Sequence, residues 1–320
     1  MGAPLIDEAS PVLHGELRDE LVRAMQRVPE LAGADLTLTA LSGGITNRNF
    51  LVAIAGRPDR YVIRLAGNDT HLLGISREVE HAATVAAAGV GVGPEVTAFI
   101  RPEGYLVTRF IEGSPVPDEV IHRPDTIARV AASLRRIHDG PAIPGLFVPL
   151  RIVEAYRALA LARGVRIPPE YELASLIGRR IELALLANPV ELRPCHNDLL
   201  NANFIHDGER VRIVDWEYAG MGDRFFDLGN LSVNNGFSDG DDEALLAAYF
   251  GEPCTDRRFA ALRLMRIMSD FREGMWGVVQ RGISELDFDF AAYADEHLTR
   301  VGAAMDDPRF ATWLEAARGA

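Results

Sequence analysis

The chain has 320 residues, 48% of them hydrophobic, enough for a large core and for two domains or one bilobal unit. Its net charge of −13, from 33 basic and 46 acidic residues, argues against nucleic acid or an anionic membrane as a partner and mildly favours a cationic ligand. No run approaches the roughly 18 consecutive apolar residues of a membrane span, MGAPLIDEAS lacks the features of a signal peptide, and Cys195 and Cys254 are too few for a disulfide framework. A cytoplasmic protein without membrane insertion is therefore expected. The sequence contains no lysine, so the cation of any phosphate site must be an arginine.

Leu13, Leu17, Leu21 and Met25 recur at four-residue spacing and mark an amphipathic helix over residues 13–28. Strands follow at residues 36–41, 49–55 and 60–66. Between the first two lies Ser42-Gly43-Gly44-Ile45-Thr46-Asn47. A glycine pair there offers backbone N–H groups to phosphate, or simply turns a hairpin. In RYVIRLA, period-two alternation puts Tyr61, Ile63 and Leu65 on one face and Val62, Arg64 and Ala66 on the other. Ser76 caps a helix that Gly89 stops, with Glu78 and Glu80 in its first turns. Strands at 95–100 and 105–110 turn about Pro102-Glu103-Gly104. The segment Ile111-Glu112-Gly113-Ser114-Pro115 then separates strands from a run of helices, dividing the chain into 1–112 and 113–320.

The second part opens with a helix carrying Ile127, Val130, Leu134 and Ile137, with His138 as a helix-end cation. A core helix follows with Leu173, Leu176, Ile177, Ile181 and Leu185. Beyond residue 230 come helices near 241–250, 256–280 and 288–304 and a short tail helix. Phe259, Leu262, Met265 and Met268 read as packing.

The chemistry lies in the stretch from Arg193 to Asn230. His196, Asp198 and Asn203 form H-x-D-x-x-x-x-N. The β-prone runs at 203–205 and 211–214 are joined by a linker containing Asp207-Gly208, a hairpin signal that brings Asn203 close to Asp215. An isolated H-x-D occurs by chance in many chains; four polar residues spaced around a hairpin point to phosphoryl transfer. In that chemistry one carboxylate orients the attacking hydroxyl, while an amide oxygen and a second carboxylate hold Mg²⁺ on the nucleotide phosphates.

HNDLLNANF, IVDWEYAG and FDLGN resemble the choline/ethanolamine kinase branch of the protein-kinase-like fold, whose scaffold aminoglycoside phosphotransferases share. The resemblance runs from about Leu41 to about Arg300. It implies an α+β bilobal fold, with a small β-rich N-terminal lobe, a larger helical C-terminal lobe and ATP in the cleft between them. It assigns Asp198 as the base, with His196 and Arg64 in the catalytic set, Asn203 and Asp215 as Mg²⁺ ligands, and Asp227 as a brace of the catalytic loop. Ser42, Gly43, Gly44, Thr46 and Asn47 match a phosphate-covering loop of the form GGxTN. Arg64 stands where the family places a phosphate-binding lysine, and Arg77-x-x-Glu80 makes Glu80 its partner. Val62 and Ile213 fall beside the adenine, and Arg109, Phe110 and Ile111 in the hinge.

The segment from Arg272 to Ala294 resembles the part of choline kinases that walls a quaternary ammonium, with Trp276 and Tyr293 at the aromatic positions. Glu217, Asn234 and Glu273 complete the expected substrate set with Asp198. Glu273 stands where many eukaryotic members have another aromatic residue, and Asn234 where they have an acid. The expected activity is ATP- and Mg²⁺-dependent phosphorylation of a small amino alcohol, choline first and ethanolamine second. An aminoglycoside or sugar kinase and a nucleotide-binding pseudokinase are the rival readings, and a homodimer stays open.

Overall fold

The computed structural model describes residues 15–41, 47–67 and 70–319. Ser42, Gly43, Gly44 and Thr46 lie outside the described residues, as does Leu13 of the first helix. Among those described, a five-stranded antiparallel sheet in the order β1-β2-β3-β5-β4 comes first, formed by β1 (Leu36–Leu41), β2 (Asn47–Ile54), β3 (Arg60–Ala66), β4 (Val96–Ile100) and β5 (Tyr105–Arg109). The helix α1 (Glu16–Met25) lies on it. Period-two alternation decides which face is covered. Tyr61, Ile63 and Leu65 join Leu38, Phe50, Val52 and Val107 in a core sealed by Leu21 and Met25 of α1. Val62, Arg64, Leu106 and Thr108 turn the opposite way, into the cleft.

The helix α2 (Arg77–Gly89) begins where Ser76 accepts the Val79 N–H. It turns Glu80 inward and leaves Glu78 in solvent, where Glu78 pairs with Arg101. After β5 come a short strand, β6 (Ser114–Pro115), and the helices α3 (Pro124–His138), α4 (Pro149–Ala162) and α5 (Glu170–Leu186). The strands β7 (Arg193–Cys195), β8 (Phe204–His206), β9 (Val211–Ile213) and β10 (Gly220–Gly222) follow. The expected hairpin is β8 with β9, in the register Phe204↔Ile213.

The remaining helices are α6 (Arg224–Asn234), α7 (Asp239–Phe250), α8 (Asp256–Ile283), α9 (Phe290–Ala303) and α10 (Phe310–Arg318). Most of α8 from Ala260 to Gln280 is buried, and α4, α6, α9 and α10 pack against it. Two glycines set its spacing to neighbours. A Cβ on Gly229 of α6 would lie 2.7 Å from the Arg266 backbone N, and one on Gly277 would lie 3.0 Å from Tyr293 Cδ1. The second close approach brings α9 against α8 and seats Tyr293 beside Trp276. No helix among the described residues is long and apolar enough to cross a membrane.

Two expectations about packing change. On α5 the buried face is Tyr171, Ala174, Ile177, Gly178 and Ile181, whereas Leu173 and Leu176 are exposed. The smaller residues fit against the neighbouring helices, and the leucines lie on another side of the cylinder. His138 is no exposed cation: it is buried, with Nε2 3.0 Å from Asp227 and Nδ1 2.7 Å from the Tyr249 hydroxyl.

Candidate functional site

A cleft of about 620 Å³ lies between the sheet and the helical part. One wall is apolar on both sides: Val62 and Leu106 come from the sheet, Leu200, Ile205 and Val214 from the opposite side. Arg109, Phe110 and Ile111 line it at the crossing between the two parts. The N–H groups of Arg109 and Phe110 are taken by Glu95 O at 2.8 Å and Arg60 O at 2.9 Å, so of the three only Ile111 keeps an uncommitted N–H among the described residues. Ile213 is not at this wall. It sits on the same strand face as Val211, fully buried in the core, and alternation hands the cleft position to Val214.

Deeper in, Arg64 Nε lies 2.8 Å from Glu80 Oε1, and Arg77 Nη1 lies 2.8 Å from Glu80 Oε2. Glu80 is 1% exposed, so it is a nearly dry carboxylate between two guanidinium groups. Asn47 extends the network: its Oδ1 accepts from Arg64 at 3.2 Å and from Arg77 at 2.9 Å, and its Nδ2 donates to Glu217 at 2.8 Å. Burial pushes the Glu80 carboxyl up, against the pull of Arg64 and Arg77. Burial also lowers Arg64, while Glu80 raises it.

The loop between β7 and β8 carries Asp198 and Asn203, and α6 holds it. Asp227, in the first turn of α6, accepts the N–H of His196 at 2.8 Å and of Asn197 at 2.7 Å. Asn230 accepts the Leu199 N–H at 2.5 Å. Asn197 takes a left-handed φ of 68°, and its side chain donates to Tyr218 O at 3.0 Å, which secures the bend. His196 is a brace of this loop and does not reach the cleft. Its ring is buried, with Nε2 2.9 Å from Val214 O and Nδ1 accepting the Asp198 N–H at 3.2 Å. Burial lowers its pKa, so the neutral ring that this pattern needs is favoured.

Asn203 donates Nδ2 to Asp198 O at 2.9 Å, which leaves its amide oxygen as the ligand-capable atom. Asp215 follows β9 with φ 65°, and its Oδ1 is buried without a hydrogen-bond partner. Burial, then Glu217 and Glu80, raises the Asp215 carboxyl well above its ordinary range. An orphaned carboxylate oxygen and an amide oxygen that line one acid-rich cleft are a donor set suited to a hard divalent cation. Asn203, Asp215 and Glu217 all line the cleft.

Asp198 faces the far end. Burial pushes its carboxyl up to about 7; Arg272 pulls it down and Glu273 and Glu217 push it further up. Arg272 of α8 approaches Asp198 Oδ1 at 3.3 Å, pairs with Glu273, and lies 4.3 Å over the Tyr218 ring. Tyr293 donates its hydroxyl to Glu273 at 2.9 Å, and Trp276 Nε1 donates to the Tyr218 hydroxyl at 3.1 Å. The rings of Trp276 and Tyr293 meet edge to face at 5.6 Å. Asn234 is not part of this wall. Its amide reaches back to Leu199 O at 3.5 Å, behind the loop. Arg272, Tyr218 and Arg77 complete the site. The sequence had suggested Arg77 only as a spacing marker and Arg272 only as the first residue of the wall segment, and had given Tyr218 no role.

A carboxylate at the bottom of a kinase-like cleft, a buried Arg–Glu pair on the sheet side and an acidic pair after the hairpin define a phosphotransferase. The chain belongs to the phosphotransferase enzyme family, which matches residues 37–263. It is similar along nearly its whole length to a choline/ethanolamine kinase family protein of Mesorhizobium loti, at 33% identity and TM-score 0.81, with 95% of this chain and 99% of that one covered. Mouse ethanolamine kinase 2 is 25% identical over 90% of this chain and 80% of its own length. Protein LicA of Haemophilus influenzae is 26% identical over 59% of this chain, which spans 56% of that protein. The protein is accordingly a small-molecule kinase of the choline/ethanolamine kinase type.

Proposed function

We propose that the protein transfers the γ-phosphate of ATP to the hydroxyl of a small amino alcohol, choline first and ethanolamine second. The adenine lies between Val62 and Leu106 on one side and Ile205 and Val214 on the other, with its edge at the Ile111 N–H. Arg64, fixed by Glu80, meets the phosphates. A guanidinium suits phosphate because it offers parallel donors. Asn203 and Asp215 hold Mg²⁺, which when bound offsets the charge of the phosphates. Asp198 orients the acceptor hydroxyl and takes its proton. His196 and Asp227 keep Asp198 in place, and the division of labour follows the two parts of the chain, 1–112 and 113–320. The unpaired Cys195 and Cys254 are in keeping with a reducing, cytoplasmic setting.

One observation carries the choice of acceptor: the aromatic side chains Trp276, Tyr293 and Tyr218 line the same cleft as Asp198. Glu273 adds a carboxylate, but its oxygens already accept from Arg272 and Tyr293. That leaves ring faces as the main attraction for a cation, which suits a trimethylammonium group that has no N–H to donate. ADP release should be measured with choline, ethanolamine, an aminoglycoside and a hexose as acceptors. Choline should give the largest kcat/KM, with ethanolamine second. Turnover of the aminoglycoside or hexose alone would reject the amino-alcohol reading and leave the phosphotransferase standing.

A further inference from the structure

Among the described residues the Asp198 carboxylate has one side-chain partner, and it comes from far along the chain. The loop from Asp198 to Asn203 reads Asp-Leu-Leu-Asn-Ala-Asn and carries no cation. Its backbone is well fixed, but the last torsion of an aspartate is a broad two-fold rotor. Among the described residues, only Arg272 touches the carboxylate, with Nη1 3.3 Å from Oδ1. Arg272 itself is tightly held: it is 1% exposed, stacks over Tyr218 at 4.3 Å, and pairs through the same Nη1 with Glu273. Glu273 is in turn held by the Tyr293 hydroxyl at 2.9 Å. One nitrogen therefore joins the carboxylate that meets the acceptor hydroxyl to the wall that meets the acceptor cation.

Charge counting supports this role. Asp198 and Glu273 bring two negative charges and Arg272 one positive, while Glu217 is offset separately by Arg77 at 3.2 Å. The pocket thus keeps room for one cation even with a guanidinium inside it. Arg272 also has Nε and Nη2 buried without hydrogen-bond partners. A buried guanidinium with unused donors is costly to keep for packing alone, since a methionine of similar reach would fill the space without it.

We propose that Arg272 is a positioning residue: its guanidinium fixes the orientation of the Asp198 carboxylate and couples it to Glu273, so that the base and the cation-binding wall stand at a set separation. The proposal rests on the reading of this end of the cleft as the acceptor site. It does not depend on which amine is bound.

The test is chemical rescue. Arg272→Ala should lower kcat about 100-fold or more, the order of a misplaced catalytic group, with KM for ATP within about threefold of wild type. Guanidinium chloride at millimolar concentration should restore kcat at least about tenfold. Urea, which has nearly the same shape and no charge, should restore nothing. Equal rescue by urea, or an unimpaired kcat in Arg272→Ala, overturns the proposal. Should that variant not fold because Glu273 is left unpaired, Arg272→Met combined with Glu273→Gln removes both charges of the pair together. Its kcat should lie about 100-fold below that of Glu273→Gln alone; equal values overturn the proposal. If the wild type phosphorylates no amino alcohol, that rejects the acceptor reading alone. The same rescue is then read on ATP hydrolysis, where water meets Asp198 and the same two outcomes decide.

Discussion

Replacing Glu80 by glutamine tests the buried network that shapes the phosphate end of the cleft. Glu80 is 1% exposed and holds Arg64 and Arg77 at 2.8 Å each. Glutamine keeps the shape, removes the charge, and turns one acceptor into a donor aimed at a guanidinium. Breaking a buried pair costs about 3–5 kcal/mol, and the low end applies because the amide oxygen still accepts from one arginine. At about 2–4 °C per kcal/mol, the Tm should fall by roughly 6–12 °C. Among the described residues Arg64 then retains Asn47 at 3.2 Å and Gly104 O at 3.4 Å, so it loses its fixed direction. One charge-assisted hydrogen bond to phosphate, worth about 1.5–3 kcal/mol, should then be lost, which is roughly a 10- to 100-fold drop in kcat/KM for ATP. Differential scanning fluorimetry and initial-rate kinetics measure both effects. Glu78→Gln, two residues earlier on the solvent side of α2, is the control and should match wild type in both assays. A Glu80→Gln variant whose Tm lies within about 2 °C of wild type, with kcat/KM unchanged, would refute the reasoning.

Three further outcomes are expected. Asp215→Asn should make ATP affinity, measured by titration calorimetry, insensitive to Mg²⁺; a retained Mg²⁺ dependence would move the metal elsewhere. Trp276→Ala should weaken choline by about 2- to 30-fold, from roughly 0.5–2 kcal/mol of cation–π attraction, and leave KM for ATP unchanged. Burial raises Asp198 to about 7, so the proton that disables it as a base is bound below that pH and absent above it. The kcat/KM for the acceptor should therefore fall about tenfold per unit as pH drops below about 7, and a profile flat between pH 6 and 8 would contradict this.

The site was legible in the sequence wherever contacts are local. The hairpin between Asn203 and Asp215 spans few residues, and its turn chemistry brings the two ends together. Alternation along RYVIRLA likewise put Arg64 and Val62 on the cleft face. The same rule applied to Val211–Ile213 points Ile213 into the core and gives the cleft to Val214, so that misassignment was a slip of one residue. His196 was read as part of the catalytic set because its spacing from Asp198 says nothing about ring direction, and the ring turns to Val214 O. Arg272 was illegible for a different reason. Its partner lies 74 residues away, and in α8 an arginine before a glutamate looks like any surface pair until the helix is packed. The α4 helix was missed although Leu150, Val153, Tyr156 and Ala160 lie at helical spacing; they are its buried face.

The most direct test of the central claim is the identity of the product. Wild-type protein, ATP and Mg²⁺ should be incubated with choline and, separately, with ethanolamine, and followed by ³¹P nuclear magnetic resonance. A phosphomonoester of the amino alcohol should appear as the γ-phosphate resonance is lost, and Asp198→Asn should form it about 10²- to 10⁴-fold more slowly. Inorganic phosphate as the sole product with both amines, or an undiminished rate in Asp198→Asn, would contradict it.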